Sequence, residues 1–403
     1  MSRLFLLADD LTGANETGLH FIDKGYTFGT LLYNRSSFTK DLVAAGSAVE
    51  ILAIDAETRL ETGDKAGKTI RYLIKKLWSE GGRRFFLKCD STLRGNIGVS
   101  IKAALEASGE ACAAVCFAFP AAGRTTVGGI QYVYGKQIAE TEFAADSINP
   151  VNTSFIPQLL REQSGLKCGQ IGLEVLRSGH KATVKLLTKH IAEGVRILVF
   201  DAESEKDLSR AAAAVKGLRI FCGASALAGE LLPGKINKVC RVFKKTKGQI
   251  IGVIGSAKKQ TIKQCRYAVK KAGLRQILLS EKDILKPESF MPVPGKKDLL
   301  LRIVHGRRKT INGRYAARLA RGLGRLAARA IRNQKPVGIY LSGGATALGV
   351  CRELGIRFLE VKDKVSTGIP LVYSQELKLY LATKSGGFGK ENALYKIYKA
   401  LKS

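Results

Sequence analysis

The chain has 403 residues, of which 45% are hydrophobic and 25% charged, with only 9 prolines. This composition excludes a disordered chain, and the length exceeds what one hydrophobic core usually organises, so we expect a folded protein of two domains. The formal net charge of +32 favours anionic ligands, which include nucleic acid, an anionic membrane surface, and a nucleotide together with a carboxylated substrate.

The distribution of charged, apolar and metal-ligating residues narrows these classes. The basic residues form short pairs between 238 and 309, ending in Arg307-Arg308-Lys309, without interleaved aromatic residues, which favours a solvated basic surface over a nucleic-acid partner. The start MSRLFLLADD is too short for a signal peptide, and no stretch approaches a membrane span. The cysteines and histidines are scattered, without a CxxC pair, which argues against a disulfide framework and a zinc or iron site. We therefore expect a cytoplasmic protein without a membrane partner.

In the first half of the chain, apolar runs alternate with helix-period segments, which is typical of α/β layers with largely parallel sheets. The predicted helices include 61–79 and 96–108, and Tyr134-Gly135-Lys136 between two alternating runs predicts a hairpin. Strands at KCGQIGL and RILVFDA extend this domain to about residue 215. The predicted strands of the first sheet are RLFLLA, TFGTLLY, EILAI, RRFFLK and AAVCFAF.

The second half repeats the strand and helix alternation after a basic, less periodic stretch near 233–247. We place the domain boundary in this stretch, which gives an N-terminal domain of 1–235 and a C-terminal domain of 236–403. Alanine and arginine favour a long helix over 311–334. The predicted fold is α/β with two domains, each a largely parallel sheet flanked by helices, and the active site in the cleft between them. The second-half strands are GQIIGVIGSA, QILLS, LLLRIVH, PVGIYLSGG and KLYLATKSGG.

Three segments of the second half share the order strand, glycine turn, helix: 251–261, 339–349 and 381–391. Glycine allows a sharp turn, and the amides at the following helix N-terminus then point outward with a partial positive charge that suits a phosphate. Each loop alone is equally explained by a tight strand-to-helix connection, and none is a Walker A or GxGxxG motif. Together they predict a nucleotide crevice, to which Ser256 and Thr346 add hydroxyls and Lys384 a charge.

Polar turns follow strands of the first half, and their residues suit the phosphorylation of a hydroxy acid. The turns are Ala8–Asn15, Asp55–Arg59, Lys88–Asn96 and Phe119–Thr126. A carboxylate must accept the proton of the attacking hydroxyl, and cations with Mg²⁺ must screen the phosphoryl group. Arginine or lysine must hold the substrate carboxylate. The candidates for the catalytic carboxylate are Asp10 and Asp90, and those for the clamp are Arg59, Lys88, Arg94 and Arg124.

A structural interpretation of these polar turns stays open beside the functional one. In it, the charges cap helices and form salt bridges between loops. Asp10 and Thr12 then cap a helix while Asp9 faces the crevice as a substrate-binding residue, or the reverse.

The polar turns of the first half and the glycine loops of the second half together resemble the four-carbon acid sugar kinase family, whose members phosphorylate threonate, erythronate or oxo-tetronate with ATP. The resemblance implies that the N-terminal domain binds the acid sugar and the C-terminal domain the nucleotide. Substrate contacts are implied at Asp10, Arg59, Lys88, Asp90, Arg94 and Arg124, and nucleotide contacts at Ser256, Gly343, Gly344, Ala345, Thr346 and Gly386 or Gly387. The matching segments are ADDLTGAN, DAETR, KCDSTLRGN, FPAAGRTT with VGGIQYVYG and ETEFAADSINPV, IGS, SGGAT and KSGGFG, in order between residues 4 and 389.

The chain departs from the family pattern at two loop positions. Ala345 stands where the GGET loop of the family carries glutamate, and Lys258 stands where the GSxS motif carries its second serine. Backbone amides still cradle phosphate, but the lost carboxylate weakens a metal or ribose contact. The ligands of Mg²⁺ therefore stay unassigned. The sequence also leaves the oligomeric state open, with a homo-oligomer as one alternative. A non-catalytic acid-sugar-binding or sensor protein with a weakened ATP site is the alternative function.

Overall fold

The structure is a computed structural model, and it describes residues 4–146, 148–235, 247–286, 295, 297–304 and 313–402. The chain divides into two compact units, of which the first comprises Met1–Lys24 with Ile51–Ile236 and the second Gly25–Glu50 with Asn237–Ser403. Most of the predicted boundary stretch and all of Arg307-Arg308-Lys309 lie outside the described residues. The linear division after residue 235 stays a prediction, although residues 25–50 join the second unit.

The strands are β1 (Leu4–Ala8), β2 (Phe28–Leu32), β3 (Ile51–Asp55), β4 (Arg84–Lys88), β5 (Ala113–Cys116), β6 (Arg124–Val127), β7 (Ile130–Val133), β8 (Lys136–Gln137), β9 (Cys168–Ile171), β10 (Ile197–Phe200), β11 (Ile220–Gly223), β12 (Ile250–Ile254), β13 (Arg275–Ser280), β14 (Leu299–Val304), β15 (Gly338–Ser342), β16 (Phe358–Ser366), β17 (Ile369–Ser374) and β18 (Leu379–Lys384). The helices are α1 (Leu11–Asp23), α2 (Phe38–Ala48), α3 (Gly63–Ser79), α4 (Ile97–Ser108), α5 (Ile156–Ser164), α6 (Leu173–Ser178), α7 (His180–Ala192), α8 (Glu205–Ala214), α9 (Ser225–Glu230), α10 (Lys259–Ala272), α11 (Glu281–Leu285), α12 (Gly313–Gln334), α13 (Gly344–Glu353) and α14 (Ala393–Leu401).

The first unit is built on a parallel sheet in the order β3-β1-β4-β11-β5-β10-β9. Its central strands are buried along their whole length, as their continuous apolar sequences predict for a sheet covered on both faces. Because all these strands run in the same direction, their carboxyl ends gather at one edge, where the polar turns follow.

A small three-stranded antiparallel sheet, β6-β7-β8, lies beside this edge. The predicted hairpin at 134–136 is confirmed: Tyr134 and Gly135 adopt φ angles of 50° and 77°, the left-handed conformation that a tight two-residue turn requires. The Gln131 side-chain amide donates to the Ser91 carbonyl at 2.9 Å and to the Phe117 carbonyl at 3.1 Å. The hairpin therefore holds the turns after β4 and β5 in place.

The second unit has a mixed sheet in the order β13-β14-β12-β15-β18-β17-β16-β2. The strands from β13 to β18 in this order are parallel, and the last pairings, β18 to β17, β17 to β16 and β16 to β2, are antiparallel. The strand TFGTLLY, which was predicted in the first sheet, is β2, and the division of the chain assigns it to the second unit. It pairs with β16, and a Cβ at Gly29 would lie 2.2 Å from the Phe358 ring. Because β16 is distant in sequence, the local sequence pattern of β2 does not indicate this pairing.

The prediction of two α/β domains with largely parallel sheets is confirmed by both units. The long helix of the second half is also confirmed, with bounds of Gly313–Gln334. It crosses α13 at small residues, since a Cβ on Gly324 would lie 2.7 Å from the backbone of Gly349. Within the described ranges, no helix combines the length and the apolar character that crossing a membrane demands.

Candidate active site

Arg59, in the turn after β3, joins the two aspartates that follow β1. Its Nε and Nη2 donate to Asp9 Oδ2 and Oδ1 at 2.8 and 2.6 Å, and Nη2 also donates to Asp10 Oδ1 at 2.9 Å. The strands β1 and β3 are neighbours, so their following turns meet. Asp9 is only 6% exposed. Burial raises the pKa of the Asp9 carboxyl, and the Arg59 guanidinium opposes that shift.

Asp10 caps the first turn of α1. Its Oδ1 accepts from the Gly13 amide at 2.9 Å, and its Oδ2 accepts from the Thr12 hydroxyl at 2.7 Å. Burial alone would raise the pKa of this carboxyl, but Arg59 and Lys88 lower it below its ordinary value. Of the two arrangements left open by the sequence, the structure has Asp10 at the helix cap and Asp9 on Arg59.

Lys88, at the end of β4, is a buried cation. The side chain is 4% exposed, and Nζ donates to the Cys89 carbonyl at 3.1 Å. A Cβ at Gly13 would lie 2.9 Å from this Nζ and 2.6 Å from Asp10 Oδ1, so glycine at this position makes room for the ammonium. Among the described residues no carboxylate forms an ion pair with Lys88. An ammonium has three donors, so two of its N–H groups stay available for an anion.

Asp90 and Arg94 form an ion pair within the turn after β4. Arg94 Nε donates to Asp90 Oδ2 at 2.5 Å, and the Thr92 hydroxyl donates to the same oxygen at 2.6 Å. Arg94 Nη1 also donates to Asp146 Oδ2 at 3.1 Å. Burial opposes ionisation of Asp90, but Arg94, Arg59 and Thr92 together hold its pKa far below its ordinary value. These contacts therefore favour the ionised form of Asp90.

Arg124 begins β6 and lies close to the same group of side chains. Its guanidinium donates to the Ala122 carbonyl and stacks over the Tyr134 ring at 5.4 Å from the centroid. The positive charge acts on Glu16 of α1. Of the predicted clamp residues, Arg59 and Arg94 form ion pairs with aspartates, while Lys88 acts on Asp10 and Glu16 and Arg124 acts on Glu16.

Glu16 was not among the predicted site residues. Its Oε1 accepts from the Ser225 hydroxyl at 3.0 Å, and Ser225 begins α9 directly after β11. Burial raises the pKa of Glu16, and Lys88 and the Ser225 hydrogen bond oppose the shift. The sequence held one signal for this residue, because Glu16 lies three positions after Gly13 and so shares its face of α1.

The three glycine loops of the second unit meet at the ends of β12, β15 and β18. A Cβ at Gly255 would lie 1.9 Å from Thr346 Oγ1, and a Cβ at Gly386 would lie 2.6 Å from Ser256 Oγ. The Gly343 amide donates to the Lys384 carbonyl at 2.9 Å. Gly343 has a φ of 109°, which favours glycine, and it precedes the first residue of α13, Gly344.

Two of these loops also share a hydroxyl. Thr261 Oγ1 lies 3.1 Å from Ser256 Oγ and accepts from the Gly387 amide at 2.9 Å. Ala345 is exposed at the first turn of α13. The Lys258 amide donates to Ser256 Oγ at 3.4 Å. The predicted nucleotide residues thus lie together, with backbone amides and hydroxyls as their polar groups.

Lys384 has a different position from the one expected. Its Nζ donates to the carbonyls of Ser385 and Phe388 at 3.0 and 3.2 Å, and the side chain is fully buried. Burial lowers the pKa of this lysine to about 8. The Lys384 ammonium therefore binds carbonyl groups of its own glycine loop and stabilises the conformation of that loop.

In the comparison with known proteins, two families match the first and the second part of the chain separately. The family described as a sugar-binding N-terminal domain matches residues 4–231. The chain belongs to this family. The nucleotide-binding C-terminal domain family matches residues 251–394. We therefore call residues 4–231 the sugar-binding domain and residues 251–394 the nucleotide-binding domain.

Relatives of this protein match the chain over almost its entire length. A protein named D-threonate kinase from Salmonella typhimurium is 28% identical over 97% of this chain and 96% of its own. A protein named D-erythronate kinase from Heliobacterium modesticaldum is 28% identical over 98% of this chain and 95% of its own. A solved structure from Salmonella typhimurium LT2 has a TM-score of 0.80 at 21% identity, covering 99% of this chain and 100% of that one, and supports the fold.

The nucleotide-binding domain has oxygen donors of the kind that Mg²⁺ accepts. No cluster of three histidine, cysteine or carboxylate ligands occurs in the described parts of the chain. Mg²⁺ usually keeps several waters and takes one or two carboxylates in addition to phosphate oxygens, so it does not need such a cluster. At the glycine loops of the nucleotide-binding domain, the oxygen donors include the hydroxyls of Ser256 and Thr346.

Proposed function

We propose that this protein is an ATP-dependent kinase that phosphorylates a hydroxyl of a four-carbon sugar acid, namely threonate, erythronate or oxo-tetronate. One observation carries the proposal: Lys88 is a buried cation with a single carbonyl acceptor, in a domain of the sugar-binding family. A buried ammonium with unused donors is costly unless an anion binds it. The names of the relatives, D-threonate kinase and D-erythronate kinase, supply the class of anion.

In this proposal, the sugar-binding domain holds the acid. Lys88 and Arg124 bind the substrate carboxylate or a neighbouring hydroxyl, while Arg59 and Arg94 are held in place by Asp9, Asp10 and Asp90. Phosphoryl transfer depends mainly on position and on charge stabilisation, since its transition state is loose. The aspartates predicted as catalytic, Asp10 and Asp90, have lowered pKa values and stay ionised, which suits them to fix these cations.

The nucleotide-binding domain holds ATP through its glycine loops. We propose that the Gly344 amide at the start of α13, with the hydroxyls of Ser256 and Thr346, binds the phosphates, while Gly343 and Gly387 shape the loops around them. Mg²⁺, when bound with ATP, supplies charge neutralisation at the phosphates.

The described cysteines are free, as in reducing compartments, and ATP is used there, so we place the reaction in the cytoplasm.

The test is an assay of ADP release by the purified full-length protein with ATP, Mg²⁺ and a panel of four-carbon acids. We expect turnover with at least one acid. Asp10→Asn and Arg124→Ala should each lower kcat/KM about 100-fold through misplacement of the substrate, while Trp78 fluorescence stays native. Wild-type activity in both variants would refute this placement of the acceptor site.

A sensor that binds the acid without phosphorylating it is the second candidate function. The exposed Ala345 favours it, because the loop there has no carboxylate for a metal or ribose contact. Calorimetry decides between the two functions. Binding of an acid without any ADP release would support the sensor and contradict the kinase.

A further inference from the structure

We propose that Glu16 is the group that accepts the proton of the substrate hydroxyl, an inference that rests on the proposed kinase function. In this step the substrate O–H bond breaks and its proton moves to Glu16 Oε2. The electron pair of that bond forms the new oxygen–phosphorus bond, and the bond from the γ-phosphorus to the bridging oxygen breaks with its electrons leaving on ADP.

The hydrogen bonds of the four neighbouring carboxylates distinguish Glu16. Both oxygens of Asp9 accept from Arg59, and those of Asp10 accept from Arg59, Gly13 and Thr12. Asp90 accepts from Arg94 and Thr92. These donors engage both oxygens of each aspartate and stabilise its ionised form. Glu16 accepts one hydrogen bond, from a neutral hydroxyl on Oε1, and in the described parts of the chain nothing donates to Oε2.

The position of Glu16 also suits this role. Gly13 and Glu16 are three residues apart on α1 and therefore lie on one face of the helix. The Lys88 ammonium lies against that face at Gly13, within 2.9 Å of where a Cβ would be. Ser225 approaches Glu16 from the end of β11, which is the neighbour of β4. The carboxylate thus lies beside the buried cation to which we assign the anionic substrate.

The charges that face Glu16 set its basicity. Burial raises its pKa above the ordinary glutamate value, the Asp10 carboxylate adds to this rise, and Lys88, Ser225 and Arg124 oppose it. A general base is most effective when its pKa approaches the working pH, so this glutamate accepts a proton more readily than the aspartates with lowered pKa values.

The experiment is a pH profile of kcat/KM for the wild type, Glu16→Gln and Ser225→Ala, with acid binding measured by calorimetry. We expect the wild-type kcat/KM to rise with pH as Glu16 loses its proton. Glu16→Gln should lower kcat/KM by about 10²- to 10⁴-fold and abolish this rise, while the acid still binds. Ser225→Ala removes a bond to the ionised carboxylate, so the rise should move to higher pH with the plateau retained.

Glu106→Gln is the matched control, because Glu106 is an exposed glutamate on α4 that pairs with Arg71. It should leave the profile unchanged. If Glu16→Gln keeps the increase of kcat/KM with pH, and its kcat/KM stays within threefold of the wild-type value, the role of Glu16 is refuted. The kinase function would stand in that case. A loss in Glu16→Gln that is entirely a loss of acid binding would also refute the role of Glu16. Absence of turnover by the wild type with every acid refutes both the kinase function and this role.

Discussion

Arg59→Met removes the guanidinium that faces the buried Asp9 carboxylate. The side chains of Arg59 and Asp9 are only 15% and 7% exposed. Removing one partner of such a buried pair leaves an uncompensated charge and costs about 3–5 kcal/mol of unfolding free energy. With a urea dependence of roughly 2–3 kcal/mol per molar, the unfolding midpoint should fall by about 1–2.5 M.

Trp78 makes this effect measurable in the first unit. It is the only tryptophan of the chain, and it stacks on Phe85 with ring centroids 6.0 Å apart, so its fluorescence follows the unfolding of this unit. The matched control is Arg71→Met, whose partner Glu106 is 43% exposed and whose own side chain is 41% exposed. An exposed pair contributes about 0.2–1 kcal/mol, so the control should move the midpoint by less than about 0.5 M.

The pH dependence of the Arg59→Met effect gives a second check. Burial raises the native pKa of Asp9 and Arg59 opposes this, so the variant should raise it further. Between the unfolded and native pKa values the native state then binds more protons, and its stability falls as pH rises. The loss should therefore be smaller at pH 5 than at pH 8. A midpoint shift no larger than that of Arg71→Met at both pH values would refute the reasoning.

Three further predictions concern the nucleotide-binding domain. Gly255→Ala should weaken ATP binding at least tenfold in calorimetry, because its Cβ would lie 1.9 Å from Thr346 Oγ1, whereas Gly217→Ala, with nothing within 4 Å, should not. Equal affinities in these variants would contradict the convergence of the loops. Lys384→Met should remove a rise in thermal stability above pH 8, since the native pKa is about 8 and that of the unfolded chain is higher. A rise of equal size in both proteins would show that Lys384 is not its source. Ala345→Glu should tighten Mg²⁺-ATP binding roughly fivefold, or ~1 kcal/mol, and an unchanged dissociation constant would show that other groups replace the carboxylate.

Strand positions and the strand-end turns were predictable because they depend on local pattern. Buried parallel strands have continuous apolar sequences, and polar residues follow within two positions of Ala8 and Lys88, where β1 and β4 end. The direction of the strands then requires these turns to share one edge, where Arg59 indeed meets the aspartates after β1. The glycine loops were predictable for the same reason, since sharp turns at strand ends need glycine.

Long-range partners and side-chain directions could not be predicted. The strand at 28–32 has the same apolar pattern as its neighbours, yet it pairs with β16, more than 300 residues later in the chain. Lys384 ends β18 as Lys88 ends β4, but its ammonium donates to two carbonyls of its own loop. A single glutamate within a helix, such as Glu16, gains its meaning only from Ser225 and Lys88, which are distant in sequence.

The measurement that tests the central claim most directly is ADP release by the full-length protein with ATP and Mg²⁺ in the presence and absence of each four-carbon acid. We predict ADP release that depends on the acid and yields one phosphorylated acid per ADP. Tight binding of an acid with ADP release no faster than in its absence would contradict the assignment as a kinase.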